Sequence, residues 1–214
     1  SNFELEEKLE KNNKKQYISL INPDKFKNVR FTYVRQKSQK GLGDAIAHAS
    51  HLINDEPFAI LLADDLIISD KSCLQQLAEI YYKNHSSVLG VNRVQKENIS
   101  KYGVIEPNVI DGNLFIKNII ERPSPDKSPS DLAVVGRYIF DSEIFHYLEQ
   151  VTEDNSNEIQ LTDAIQLMLS DHKISACEYH GNKFDCGSKS GYVEATVFMG
   201  LKDQDIAKAL KKYF

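Results

Sequence analysis

Several large functional classes are excluded by what the sequence has little of. Its three cysteines, Cys73, Cys177 and Cys186, are too few and too irregularly spaced for a disulfide framework. No Cys-x-x-Cys pair offers a thiolate zinc site, so the cysteine usage fits a reducing cytoplasm. Positive charge is not in excess. With 26 Lys and Arg against 31 Asp and Glu, the formal charge is -5, which argues against a nucleic-acid-binding surface as the main business of the chain. A small anionic ligand is still allowed, because local cations decide that. The apolar runs fall far short of the ~20 residues a membrane helix needs, and no signal-peptide pattern opens the chain. There is no G-x-x-x-x-G-K-[ST] phosphate loop and no G-x-S-x-G nucleophile elbow. Gly41 and Gly43 begin a dinucleotide-like fingerprint, but Ile46 stands where its third glycine belongs.

What is present suits a soluble globular protein. The 214 residues, 41% hydrophobic and 27% charged, fit a single domain that buries roughly 70% of the surface its unfolded chain exposes. The first residues, "SNFELEEKLEKNNKKQ", are charged and helix-like and have no initiator Met, as expected of a chain that begins partway through a longer protein. Residues 30–36 alternate like a strand. Residues 41–53 place Leu42, Ala45, Ile46, Ala49, Leu52 and Ile53 on one helical face. "FAILLAD" (58–64) is a continuous apolar run, as expected of a strand buried on both faces. A helix over 71–84 and a strand over 87–94 complete a β-α-β-α-β order, which predicts a mostly parallel sheet covered by helices.

The second half predicts strands in "KYGVIEP", "LFIKNIIERP" and "LAVVGRYIF", with a proline-rich loop between the last two. A helix follows from "NEIQLTDAIQLMLSD", with Asn157 as cap and Gln160 three residues on. Then come a strand through "KISACEYHGNKFD", a helix through "KSGYVEATVFMG" and a last helix over 203–214. Ile206, Leu210 and Tyr213 share a face of that last helix, which is buried in its own domain or in a second subunit.

Few residues carry a chemical signal by themselves. In an open α/β sheet, ligands bind beyond the carboxyl ends of the strands, where Asp64 and Asp65 stand. Strand alternation puts the two on opposite faces, so one can serve a site while the other serves the turn; equally, both can simply end the strand. "QKGLGDA" reads as a tight turn or as a close backbone approach to a ligand. Glu121 with Arg122, and Asp185 with Lys189, end apolar strands with charge. Each pair is a surface ion pair of little worth or part of a pocket. Glu121 and Arg122 can share one pocket only if the strand bends before Pro123. His48 and His51 have no metal-like partners and read as surface or packing residues.

Taken in order, these pieces resemble one family. Q-(x)4-G-L-G-x-A (36–45), "LADD" (62–65), "KYGVIE" (101–106), "IIERP" (119–123), "LAVVGRY" (132–138), "EIQLTDAI" (158–165) and "DCGSKSGY" (185–192) are similar to the bacterial UTP–glucose-1-phosphate uridylyltransferases. These belong to the nucleotide-diphospho-sugar transferase superfamily. The resemblance runs from about Arg30 to about Gly200. It implies a Rossmann-like, mixed and mostly parallel sheet flanked by helices, with residues 30–94 in the nucleotide-binding half and 95–200 in the sugar-phosphate half. It also implies the reaction of UTP with glucose 1-phosphate to give UDP-glucose and pyrophosphate, with Mg²⁺. Asp64 and Asp185 match the metal aspartates, and Arg122 and Lys189 match cations near the phosphates. Gln36 and Gly41 match positions that read uracil; Gly103, Glu121 and Gly136 match the sugar pocket. A homo-oligomer, dimer or tetramer, is implied as well.

Two departures qualify the match. Arg122 stands where the family has Lys, and a guanidinium is a planar fork where an ammonium is a point charge. The family's N-terminal G-x-G-T-R loop and following Pro-Lys segment are absent, so the resemblance implies an N-terminally truncated domain that binds its ligands without normal turnover. A thymidylyltransferase of the same fold and a non-catalytic nucleotide-sugar-binding module are the alternatives.

Overall fold

The computed structural model describes residues 3–21 and 26–213. The single domain expected over 1–214 is resolved into two compact units, Ser1–Arg35 and Gln36–Phe214. In the first, the charged opening forms helices Phe3–Lys11 (α1) and Lys15–Ile21 (α2). Residues 30–36, expected to be a strand, are irregular, and 30–35 are exposed. Alternation alone does not make a strand: among the described residues no sheet edge pairs with them.

The second unit begins at Gln36. Helix Gly41–Ala47 (α3) is shorter than the predicted 41–53; a turn and a 3₁₀ segment over Ser50–Leu52 follow it. Then come Phe58–Leu61 (β1), Asp65–Ile68 (β2), Cys73–Asn84 (α4) and Val88–Arg93 (β3). Next are Gly103–Ile110 (β4), Asn113–Glu121 (β5), Leu132–Phe140 (β6), Ile144–Leu148 (α5) and Leu161–Met168 (α6). Ser175–Glu178 (β7), Asn182–Asp185 (β8), Lys189–Gly200 (α7) and Gln204–Leu210 (α8) close the order. Phe214, the end of the predicted last helix, lies outside the described residues.

Local chemistry sets the helix ends. Ser72 accepts from the Gln75 amide while the Gln75 side chain accepts from the Ser72 amide, a reciprocal capping box that starts α4. His85, at φ 48, stops it in the left-handed region. Asp203 caps α8 by accepting from the Asp205 and Ile206 amides. Asn157 does not cap α6 as predicted; it sits at φ 58, outside the helix. Asp154 organises that segment instead, accepting from the Ser156 and Glu158 amides and from the Gln160 side chain. These bonds hold the Asp154 carboxyl below its usual pKa, that of Gln160 contributing most.

The strands form a six-stranded sheet ordered β1-β6-β3-β7-β5-β4 and a separate β2–β8 ribbon. The sheet is mixed, as predicted, but not mostly parallel. Among the described residues β3–β7 is the one parallel pairing; the others are antiparallel. The physical reason is β6, a second-half strand that inserts between β1 and β3 and runs against both. The stretch 173–185, read as one strand, breaks into β7 and β8, which join different sheets. The run at 58–64 is a four-residue edge strand with alternating exposure, Leu61 at 53%, where burial on both faces was expected.

Burial on both faces belongs to β3 and β6. On β3, Val88 and Leu89 join different apolar clusters; on β6, Ile139 and Phe140 do the same. Side chains alternate along a strand, so the two clusters line opposite faces of the sheet. One holds Leu77 of α4 with Val135 and Tyr179; the other packs α5 and α6 through Ile144, Ile165 and Met168. Fully burying such side chains stabilises by about 1.5–3 kcal/mol each. The sheet is therefore a rigid support for loops at its edge. No helix of the described residues is long and apolar enough to cross a membrane.

Candidate active site

Where β1 ends, the chain leaves the main sheet, turns through residues 62–64 and enters the β2–β8 ribbon. That turn carries Asp64, which is exposed. In the ribbon, Asp65 stands directly opposite Asp185. Directly opposed carboxylates repel, and Lys183, two residues before Asp185 on the same face of β8, offsets this. Its Nζ lies 3.0 Å from Asp65 Oδ1, with the two side chains only 12% and 13% exposed. The ammonium also sits 4.5 Å over the Tyr102 ring. The other Asp65 oxygen accepts from the Gly136 amide at 2.6 Å. Asp65, expected only to shape the turn, ties the turn to both the ribbon and β6.

Asp64 and Asp185 face one small space. A Cβ added at Gly187 would lie 3.0 Å from Asp64 Oδ2 and 3.1 Å from Asp185 Oδ1. Asp185 is held there by the Gly187 amide at 3.1 Å, while its carbonyl accepts from Ser188, the cap of α7. Two hard carboxylate oxygens fit a divalent cation that keeps waters and takes further ligands from phosphates. Among the described residues, no group of three or more His, Cys, Asp or Glu could hold a metal from the protein alone.

The cleft around this pair has a volume of about 370 Å³ and is lined by Asp64, Asp65, Asp185, Lys183, Lys101 and Tyr102, with Gly103, Glu121, Arg122, Gly136 and Thr162. Thr162 donates to Glu121 Oε2 at 2.6 Å, which fixes that carboxylate. A Cβ at Gly103 would sit 3.1 Å from the same oxygen, so glycine keeps it approachable. Arg122 leaves the strand at φ 43, with Nε 3.4 Å from Glu121 Oε1. The bend is what lets both residues line one cleft. Gly136 has a simpler reason: a Cβ there would lie 2.6 Å from Leu62 Cβ. Beneath lies Tyr138, whose phenol is pushed well above its ordinary pKa by burial, then by the charges of Asp65 and Glu121.

Gly41 and Leu42 line the far wall with Glu158 and Gln160. Gly41 adopts φ 86, and a Cβ there would meet Glu158 Cβ at 2.9 Å. The glycine turn is bonded to "EIQLTDA" through its backbone: Gly43 donates to the Ile159 carbonyl at 2.9 Å and Ile159 to the Lys40 carbonyl at 2.8 Å. Gln36 braces the turn, donating to the Gly41 carbonyl at 3.2 Å and to Asp44 at 2.6 Å.

The cleft thus gathers Asp64, Asp185, Arg122, Gly41, Gly103, Glu121 and Gly136. Gln36 and Lys189 do not line it; Lys189 is exposed at the start of α7. Lys183, Asp65, Thr162 and Tyr102 were missed. Lys183 had a signal, since period-two alternation puts it on the face of Asp185.

A family model described as nucleotidyl transferase matches residues 1–201. The chain belongs to the nucleotidyl transferase family. Within this family it is 43% identical over 182 residues to a UTP–glucose-1-phosphate uridylyltransferase of Staphylococcus epidermidis, covering 85% of this chain and 63% of that protein. A Streptococcus pyogenes protein of the same name is 37% identical over 219 residues, covering 100% of this chain and 71% of that one. The crystal structure of a UDP-glucose pyrophosphorylase complexed with UDP-glucose superposes with a TM-score of 0.77 at 42% identity, covering 81% of this chain and 67% of that chain. The nucleotidyl transferase fold expected from the sequence is therefore present, in a chain that spans under two thirds of the Staphylococcus relative's length.

Proposed function

We propose that the chain works in a UTP–glucose-1-phosphate uridylyltransferase, joining UTP and glucose 1-phosphate into UDP-glucose with release of pyrophosphate. The observation that carries this reading is the cleft itself. It combines a carboxylate fixed by Thr162, a pair of carboxylates facing one space and an exposed guanidinium, in a chain 43% identical to an enzyme of that name.

The chemical problem is charge. Two unit negative charges ~4 Å apart repel by about 4 kcal/mol at an effective dielectric near 20, and a sugar phosphate must approach a triphosphate. In this reading Asp64 and Asp185 would hold Mg²⁺, whose hard character suits carboxylate oxygens. Bound there, the ion supplies neutralisation of phosphate charge. The rest is positioning by the chain's own residues. Glu121, oriented by Thr162, accepts from glucose hydroxyls. Gly103 keeps the Glu121 carboxylate approachable, and Gly136 lets β6 pack against Leu62 beneath the sugar. Arg122, its side chain 63% exposed, presents its fork to a phosphate at the rim. Gln36 has its amide N–H groups on Gly41 and Asp44, so it offers a base its carbonyl oxygen, which suits the N3–H of uracil. Lys189 stands outside the cleft and belongs to this reading only as a more distant cation. Assembly of like chains through the apolar side chains exposed on α7 and α8, Val193, Met199 and Ile206 among them, is also part of it, as is a cytoplasmic setting.

The test is pyrophosphate release by the gene product from UTP and glucose 1-phosphate, with dTTP as competitor and with each substrate omitted. Release that needs both substrates and favours UTP supports the reading. Release indifferent to glucose 1-phosphate, or faster with dTTP, contradicts it.

A further inference from the structure

Arg137 is a charged residue inside the apolar strand "LAVVGRYIF", where a cation needs a reason. Its guanidinium donates to the Leu62 carbonyl at 3.0 Å, to the Gly136 carbonyl at 2.7 Å and to the Asp65 carbonyl. All three are backbone oxygens, two of them on either side of the turn that carries Asp64. The Asp65 carboxylate, on the same turn, takes Lys183 and the Gly136 amide instead.

The turn needs such a donor. Between β1 and β2 the chain passes from one sheet to another, so the carbonyls at the crossing cannot all join a ladder. Buried or half-buried carbonyls left without donors are costly. Leu62 donates its amide to the Gly136 carbonyl and the Asp64 carbonyl accepts from the Cys186 amide, both at 2.9 Å or less. Arg137 supplies the bonds to the Leu62 and Asp65 carbonyls, and its planar fork reaches carbonyls in two directions at once. Asp64 itself is exposed and has neighbours fixed on both sides.

We propose that Arg137 is a positioning residue for Asp64: it clamps the 62–65 turn to β6 so that the Asp64 carboxylate faces Asp185. This rests on the reading of Asp64 and Asp185 as a metal pair. Groups that orient metal ligands typically change metal affinity by about 10–100-fold when removed.

The experiment uses Mn²⁺ alone, titrated into the chain and followed by electron paramagnetic resonance. Amide hydrogen exchange is measured over 62–66 and at Cys186. The variants are Arg137→Met, Arg137→Lys, Asp64→Asn and the Arg137→Met/Asp64→Asn double. Expected are an affinity loss of about 10-fold or more in Arg137→Met, a smaller loss in Arg137→Lys, and no further loss in the double variant over Asp64→Asn. Exchange should rise at 62–66 and Cys186 while the amides of α4 and β3 keep their protection. The proposal is overturned if Arg137→Met and Arg137→Lys both bind Mn²⁺ like the parent. Exchange that rises equally everywhere overturns it too, since that marks a general structural role. If Asp64→Asn itself binds Mn²⁺ like the parent, the metal reading fails, and the positioning role falls with it; that arm separates the two failures.

Discussion

Lys183 Nζ lies 3.0 Å from Asp65 Oδ1, and the two side chains keep only 12% and 13% of their exposure. Removing one partner from such a pair leaves a buried charge uncompensated, at a cost of about 3–5 kcal/mol. Lys183→Met should therefore lower the unfolding free energy by that order in a urea titration. Asp65→Asn combined with it should cost less than the sum of the two single changes. Strict additivity would contradict the pairing.

Gly41 and Gly112 both have positive φ, 86 and 74, but differ in surroundings. A Cβ at Gly41 would press on Glu158 and Ile159, whereas one at Gly112 would meet nothing within 4 Å. Gly112→Ala should cost about 1 kcal/mol from backbone strain alone. Gly41→Ala should cost more and also loosen the Gly43–Ile159 amide bond, which hydrogen exchange reads directly. Equal costs would contradict the close packing of the glycine turn on "EIQLTDA".

Thr162→Val removes the donor to Glu121 with little change of shape. A charge-assisted hydrogen bond contributes about 1.5–3 kcal/mol to stability, so the melting temperature should fall by about 3–10 °C, and UDP-glucose affinity should fall as well because Glu121 is no longer fixed. An unchanged affinity would show that Glu121 needs no orienting partner.

The thiols should divide in reactivity. Burial raises Cys73 to about 11 and Cys177 to about 12, whereas Cys186 is half-exposed. At pH 8 the native chain should show one fast-reacting thiol towards a disulfide reagent, and two more only on unfolding. Three fast thiols would contradict the packing around α4.

Alkaline stability gives a signed test. Tyr81 donates to Asp141 at 2.5 Å, and that bond, helped by burial, raises its pKa from 10.0 to about 12. A raised pKa means that the fold favours the protonated phenol. The stabilisation is complete below pH 10 and declines as pH rises from 10 towards 12. Tyr81→Phe should flatten the stability profile in that window; an unchanged slope would assign it elsewhere.

Much of the scaffold was legible because it is local. "LAVVGRYIF" reads as a strand from its composition, and the 71–84 helix from its periodicity. Pairing is not local. Nothing in "FAILLAD" says that Ala59 and Leu61 face outwards on an edge strand, and nothing in 30–36 says that no neighbour awaits it. The site divides the same way. Motifs gave Asp64, Glu121 and Asp185. Thr162, Lys183 and Arg137 take their meaning from partners 41, 118 and about 75 residues away in the chain.

In the proposed reading this cleft holds a nucleotide sugar, with Glu121 on the sugar and Asp64 with Asp185 on a divalent cation. Calorimetric titration of the chain with UDP-glucose, with and without Mg²⁺, tests it most directly. Saturable binding is expected, which Glu121→Gln weakens about 10-fold or more and which Mg²⁺ strengthens only when Asp64 is intact. Binding that ignores Glu121→Gln, or no binding of UDP-glucose at all, would contradict it.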